Sequence, residues 1–176
     1  ISNSVAAYAA SIMAGADPVR AAEAIGAFRG ARRRFEHKGI VRGVQVIDDY
    51  AHHPTEVKAV LAAARRHFPH QRIVAYVQPH TYSRTQMLAE AWREAFHDAD
   101  KVLVGDIYAA REVAIPGVDA EWLASTIEHV DVCASGSVNQ SVVHLATVLQ
   151  QGDVLITMSA GDGTQVGPAV LQALER

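Results

Sequence analysis

"VIDDYAHHPTEV", residues 46–57, joins a β-branched run to a proline-led amphipathic segment, with two aspartates, a tyrosine and two histidines between them. Upstream, "IVRGVQVI" (40–47) reads as a strand. Downstream, "PTEVKAVLAAARRHF" (54–68) places Val57, Val60, Leu61, Ala64 and Phe68 on one helical stripe. Pro54 suits the first helical turn because its φ is already fixed, and Glu56 just inside it complements the positive end of the helix dipole. The stretch is therefore a strand-to-helix crossing, and its polar residues sit where a strand hands over to a helix.

The same alternation runs to the end of the chain. "RIVAYVQ" (72–78), "KVLVGDIY" (101–108), "VDVCA" (130–134) and "DVLITMS" (153–159) read as strands. Between them lie a helix over 83–96 with Leu88, Ala91, Trp92, Ala95 and Phe96 on one stripe, a helix near Asp119–Ile127, a helix over Val138–Leu149 and a last helix through "VGPAVLQALER". The longest loop is "AAREVAIPG" (109–117). Continuous apolar strands separated by amphipathic helices predict an α/β fold, a Rossmann-like, mostly parallel sheet with helices on both faces. Ahead of it, Val5, Tyr8, Ala9, Ile12 and Met13 recur at helical spacing, and Asp17 with Pro18 starts a second helix. The pattern breaks near residues 29–39, so residues 1–30 form a helical remnant and 31–176 the Rossmann-like domain.

Composition narrows the function classes. At 176 residues and a formal charge of −3, the chain lacks the basic excess of a nucleic-acid surface, and "RRR" at Arg32–Arg34 is too short to supply one. The single cysteine, Cys133, excludes an internal disulfide and fits a reduced, cytoplasmic setting as a small buried hydrophobe. No apolar run approaches the ~18 residues that span a bilayer. "ISNSVAAYAASIMAGA" opens without Met and without a basic n-region, which points to a piece of a longer chain rather than a signal peptide.

Ligands of open α/β sheets bind beyond the carboxyl ends of the strands. Here those ends read "DDYAHHP", "QPHTYSR", "GDIYAAREVAIPG" and "SAGDGTQ". Asp48 and Asp49 alternate across the strand, so one of them faces a given pocket. With His52 and His80 they offer donors for a divalent cation, although adjacent His52 and His53 converge poorly and no H-x-x-x-H or C-x-x-C spacing supports them. His80, Tyr82 and Arg84 put positive charge at a predicted helix start, which Thr81 or Ser83 would cap, and such a corner suits a carboxylate or phosphate. "GDGTQVG" (161–167) follows a strand and opens a helix, but its glycine spacing and the lack of a downstream acidic strand favour a tight turn over a dinucleotide site. No G-x-x-x-x-G-K-[ST] phosphate loop occurs.

"RRRFEHKG", "VIDDYAHHPTEV", "VQPHTYSRT", "AIPG" and "SAGDGT", in that order, resemble the C-terminal domain of the Mur ligases, which add amino acids to the UDP-sugar precursor of peptidoglycan at the expense of ATP. The pairing of "DDYAHHPTE" with "QPHTYSRT" is most similar to the member that adds L-alanine to UDP-N-acetylmuramate. The alternatives are the member that reattaches a tripeptide to the same sugar, a metal-dependent phosphohydrolase built on Asp48, Asp49, His52 and His80, or a noncatalytic nucleotide-binding module. The resemblance implies N-terminal and central domains outside this chain, with residues 1–30 the end of the central ATPase domain. It implies Asn3 near the adenine, Arg34 on the nucleotide phosphates, Asp49 on the nucleotide, and His52, His80 and Arg84 around the amino acid and the acyl phosphate. His52 and Asp49 are the implied catalytic pair. ATP and Mg2+ are the implied cofactors, the Mg2+ ligands lying in the absent central domain. Thr81 stands where some relatives carry Arg. A ligase inactive as this fragment alone, and weak in binding ATP, is the expectation.

Overall fold

A computed structural model describes residues 2–28 and 30–176, so Arg29, inside the expected break, lies outside the described residues. The chain forms two compact units, Ile1–Arg32 and Arg33–Arg176. The first contains α1 (Ser2–Met13) and α2 (Pro18–Ala27), α2 being capped by the Asp17 side chain, which accepts from the Arg20 N–H at 3.0 Å.

The second unit is a six-stranded sheet. Its strands are β1 (Glu36–Val41), β2 (Val44–Asp49), β3 (Ile73–Gln78), β4 (Lys101–Gly105), β5 (Val132–Gly136) and β6 (Val154–Ser159). Their spatial order is β1-β2-β6-β3-β4-β5, and every pairing is parallel except β1 with β2. Helix α3 (Pro54–His67) links β2 to β3; α4 (Tyr82–Met87) and α5 (Ala89–Arg93) link β3 to β4; α6 (Ala120–Thr126) and α7 (Val138–Val148) flank β5; α8 (Val166–Glu175) closes the chain.

Alternation along the strands fills two cores. Ile47, Ile73, Ala75, Val77, Val102, Val104, Ile156 and Met158 pack on one face with Leu61, Trp92 and Leu123 from α3, α5 and α6. Val46, Val74, Tyr76, Leu103 and Leu155 pack on the other with Leu145 and Val170 from α7 and α8. Strands β3 and β6 are buried at all six positions, the signature of central parallel strands. Cys133 is half-buried on β5, and burial raises its thiol pKa.

Two expected elements are corrected. "IVRGVQVI" is not one strand but a hairpin, in which Arg42 (φ 50°) and Gly43 (φ 77°) form the two-residue turn. Two consecutive positive φ values match the twist of an antiparallel pair, and Gly43 supplies the second at no steric cost. The 83–96 helix is broken at Leu88 (φ −99°, ψ 14°), leaving six-residue α4 and five-residue α5. No glycine or proline marks that break, so the periodicity of 83–96 conceals it.

Because β2 and β3 are neighbours of β6 and not of each other, the loops after β2 and β3 flank the loop after β6. Three loops rich in polar residues thus meet at one edge.

Candidate active site

The first wall is a turn of arginines clasped by the two aspartates. Arg33 (φ 56°) and Phe35 (φ 51°) are both left-handed, each at a cost of ~1–2 kcal/mol. Four hydrogen bonds hold them: Arg33 N–H to Glu36 (2.8 Å), Phe35 N–H to Asp49 Oδ2 (2.8 Å), Tyr50 N–H to the Arg33 carbonyl (2.9 Å) and Arg33 Nε to Asp48 Oδ2 (3.0 Å). Arg33 Nη2 also donates to the Ser159 carbonyl at 2.6 Å, tying this turn to the end of β6. Asp48 is 1 % exposed; burial raises its pKa more than Arg33 and the Thr157 hydroxyl lower it. Asp49 places its second oxygen on the Ala51 N–H at 2.8 Å. Arg33 is therefore committed to the fold, whereas Arg34 stays exposed with its guanidinium 5.6 Å from the centre of the Tyr50 ring.

The second wall is the histidine loop. His53 caps α3, its Nδ1 accepting from the Thr55 N–H at 3.2 Å, while Glu56 reaches back to the N–H groups of His52 (3.1 Å) and His53 (3.3 Å). Burial acts to raise the Glu56 pKa, but those two hydrogen bonds, together with the charges of His52 and Arg34, outweigh it and hold the carboxyl below its usual range. His52 is left free of capping. Its Nδ1 lies 2.8 Å from the Tyr50 carbonyl, which can only accept, and 3.7 Å from Glu56 Oε2, so Nδ1 is the donor and in the neutral ring Nε2 is the acceptor.

The third wall follows β3. Thr81 (φ 65°) donates its N–H to the Tyr108 carbonyl and Tyr108 donates to the Pro79 carbonyl, both at 2.9 Å, so the loops after β3 and β4 are laced together. Neither Thr81 nor Ser83 caps α4 as the sequence suggested. Glu112 of the long loop does so, accepting from the Ser83 N–H (2.9 Å) and hydroxyl (2.5 Å), and these bonds lower its pKa. A helix as short as α4 contributes little dipole, so the positive character here rests on side chains. The His52 and His80 ring centres are 5.7 Å apart, and Arg84 Nε donates to the His80 carbonyl at 3.0 Å. Burial first, then the charges of Arg84 and His52, lower the His80 pKa. Arg84 Nη2 and His80 Nδ1 are buried with no hydrogen-bond partner among the described residues. Two unpartnered polar atoms in one corner offer a polar ligand bonding partners, whereas Tyr76 Oη and Trp92 Nε1, unpartnered likewise, lie in the core.

Behind this corner lies the loop after β6. Gly163 donates its N–H to Gln78 Oε1 at 2.8 Å, and Gln78 Nε2 donates to Asp162 at 2.6 Å. The space a Cβ on Gly161 would need is taken by Tyr108 Cγ at 2.4 Å. The glycines of "GDGTQVG" thus serve close packing, the tight-turn alternative. A cleft of about 390 Å³ opens beyond Tyr108.

The predicted residues of the larger unit sort clearly. His52, His80 and Arg84 converge; Arg34 is exposed at the arginine turn; Asp48 and Asp49 spend their oxygens on the fold. Asn3 is exposed on α1 in the first unit. Asp48, Asp49, His52 and His80 do not assemble as ligands, and among the described residues no group of three or more His, Cys, Asp or Glu side chains is placed to hold a metal ion. Sequence reasoning assigned no role to Arg33, Gln78, Tyr108 or Glu112, although each stands in a stretch it singled out: "RRR", "QPHTYSR" and "GDIYAAREVAIPG". No helix among the described residues is long and apolar enough to cross a membrane.

The Mur ligase, glutamate ligase domain family matches residues 33–161. A UDP-N-acetylmuramate–L-alanine ligase of Roseiflexus sp. (strain RS-1) is 48 % identical over 176 residues, covering all of this chain and 38 % of that protein. This chain therefore spans less than half the length of that relative. Among solved structures, a murein peptide ligase of Psychrobacter arcticus matches 98 % of the chain and 36 % of its own, at 26 % identity and TM-score 0.67. A UDP-N-acetylmuramate–alanine ligase of Thermotoga maritima covers 98 % of this chain and 37 % of its own at 24 % identity, with TM-score 0.75, a likeness of fold.

Proposed function

Because the chain belongs to the Mur ligase family, we propose that it is the amino-acid-handling part of a longer cytoplasmic enzyme that joins L-alanine to UDP-N-acetylmuramate using ATP. Residues 1–30 are the end of the preceding ATPase domain, with Asn3 near the adenine, and 31–176 the C-terminal domain. The observation that carries the reading is the pair of unpartnered polar atoms, Arg84 Nη2 and His80 Nδ1, buried four residues apart in sequence beside His52.

The chemistry follows from these groups. In this reading ATP converts the muramyl carboxylate to an acyl phosphate. The amine of alanine attacks its carbonyl carbon, and the tetrahedral intermediate expels phosphate and leaves an amide. Negative charge develops on carbonyl and phosphate oxygens, which cationic donors in a water-poor corner stabilise. Arg84 and the depressed-pKa, neutral His80 hold the alanine carboxylate and aim its amine, a proximity effect. His52, with Nδ1–H on the Tyr50 carbonyl, offers Nε2 to take the amine's proton. Arg34 binds nucleotide phosphate from the exposed side of the turn. Asp49 acts by fixing that turn and the Ala51 N–H beneath His52. Mg2+ would neutralise phosphate charge; the donor sets here do not fit it, and its ligands fall to the preceding domain.

The test is a ligation assay on the full-length parent with UDP-N-acetylmuramate, ATP and either L-alanine or the tripeptide. ADP release with alanine supports the proposal. Release with tripeptide alone transfers the chain to the recycling ligase, and turnover by residues 1–176 alone contradicts the division of labour.

A further inference from the structure

Tyr108 touches both sides of a boundary. Its ring centre lies 5.6 Å from that of His80 at 31°, and its Cγ fills the space a Gly161 Cβ would need. Its backbone is pinned by the bonds to Pro79 and Thr81. On the far side the same residue lines the 390 Å³ cleft with Gln78, Asp106, Ser137, Asn139 and Asp162. That cleft is several times the volume of a methyl group, and it abuts the corner to which alanine is assigned. No lysine or arginine lines it, and it contains two carboxylates, Asp106 and Asp162.

We infer that Tyr108 is a specificity-determining residue, a wall that limits the incoming amino acid to a small side chain by closing the cleft behind it. The inference rests on the reading that His80 and Arg84 hold the amino-acid carboxylate. The ring packs against Gly161, and its backbone is laced to the loop after β3. In this reading a longer side chain runs against the ring, and one extra methylene at such a contact is worth roughly 10–200-fold in discrimination. Remove the ring, and the side chain of a longer amino acid enters the cleft. The carboxylates there select among longer substrates: a neutral or cationic side chain is accepted and an anionic one is repelled.

The experiment compares kcat/KM for L-alanine, L-valine, L-lysine and L-glutamate in the full-length parent and in its Tyr108→Ala, Tyr108→Leu and Tyr108→Phe variants. Ratios between amino acids cancel any general loss of activity, and Tyr108→Leu keeps an apolar contact on Gly161 should the alanine variant fold poorly. The alanine-to-valine ratio is expected to fall at least about tenfold in Tyr108→Ala, to fall less in Tyr108→Leu, and to stay within twofold in Tyr108→Phe. Lysine gains over glutamate in Tyr108→Ala. Unchanged ratios in both truncations overturn the inference, as does an equal gain for glutamate and lysine. A parent enzyme that ligates none of the four amino acids refutes the underlying alanine reading instead, which separates the two failures.

Discussion

Replacing Arg33 by alanine is expected to destabilise the larger unit by about 2–3 kcal/mol, whereas the same change at the adjacent Arg34 leaves stability within about 0.5 kcal/mol. Arg33 donates to Asp48 at 3.0 Å and to the Ser159 carbonyl at 2.6 Å, and its loss strands a carboxylate that is 2 % exposed at the side chain. Breaking a buried pair costs ~3–5 kcal/mol; the Arg33 side chain is 24 % exposed, so solvent screening reduces the figure. For a unit of this size the change lowers Tm by about 5–10 °C. The pH dependence identifies the cause. Folding already raises the Asp48 pKa above its ordinary 3.8, so the native state holds this proton more tightly than the unfolded chain. Stability from this group is therefore greatest in acid and declines as pH rises through the folded pKa. Without Arg33 that pKa rises further, so the deficit of Arg33→Ala grows from acid toward neutral pH and is largely recovered by adding Asp48→Asn. Urea and thermal unfolding across this pH range provide the assay. A deficit below about 0.5 kcal/mol, or one that is independent of pH and untouched by Asp48→Asn, refutes the reasoning.

Gly161→Ala forces a Cβ to 2.4 Å from Tyr108 Cγ, so about 1–3 kcal/mol of stability is lost and ligation by the full-length parent falls with it; an unperturbed Tm contradicts the close approach. His80 is expected to titrate below 6.5 by NMR and to move up on Arg84→Met, since the Arg84 charge is one cause of its depression. With its folded pKa lowered, His80 costs stability as pH falls below about 6.5 and none above it, and His80→Gln removes that acid-side slope. His52→Gln is expected to lower kcat about 10²–10⁴-fold with little effect on Tm, because its ring caps nothing; a change confined to Tm would make it structural.

The α/β architecture was legible because β3, β4 and β6 are nearly continuous apolar runs and period-2 alternation delivers Val46 and Ile47 to opposite cores. The β1–β2 hairpin was not, since Arg42-Gly43 is a weak turn signal between two short β-branched stretches that read together as one strand. Pro54 and Glu56 declare the start of α3 locally, and the capping by His53 leaves His52 free of that task. The role of Arg33 depends on Ser159, 126 residues away, and that of Glu112 on Ser83 across the long loop. Contacts of that span leave no local pattern. Three consecutive arginines read alike in sequence, yet the left-handed turn at Arg33 directs one inward and leaves Arg34 outside.

The central claim, that the Arg84–His80 corner holds the amino-acid carboxylate, is tested most directly by the KM for L-alanine in the full-length parent carrying Arg84→Met. Loss of a charge-assisted hydrogen bond of ~1.5–3 kcal/mol predicts a rise of about 10–100-fold, with the KM for ATP within twofold of the unaltered enzyme. An alanine KM that does not move, or a rise confined to ATP, contradicts the account.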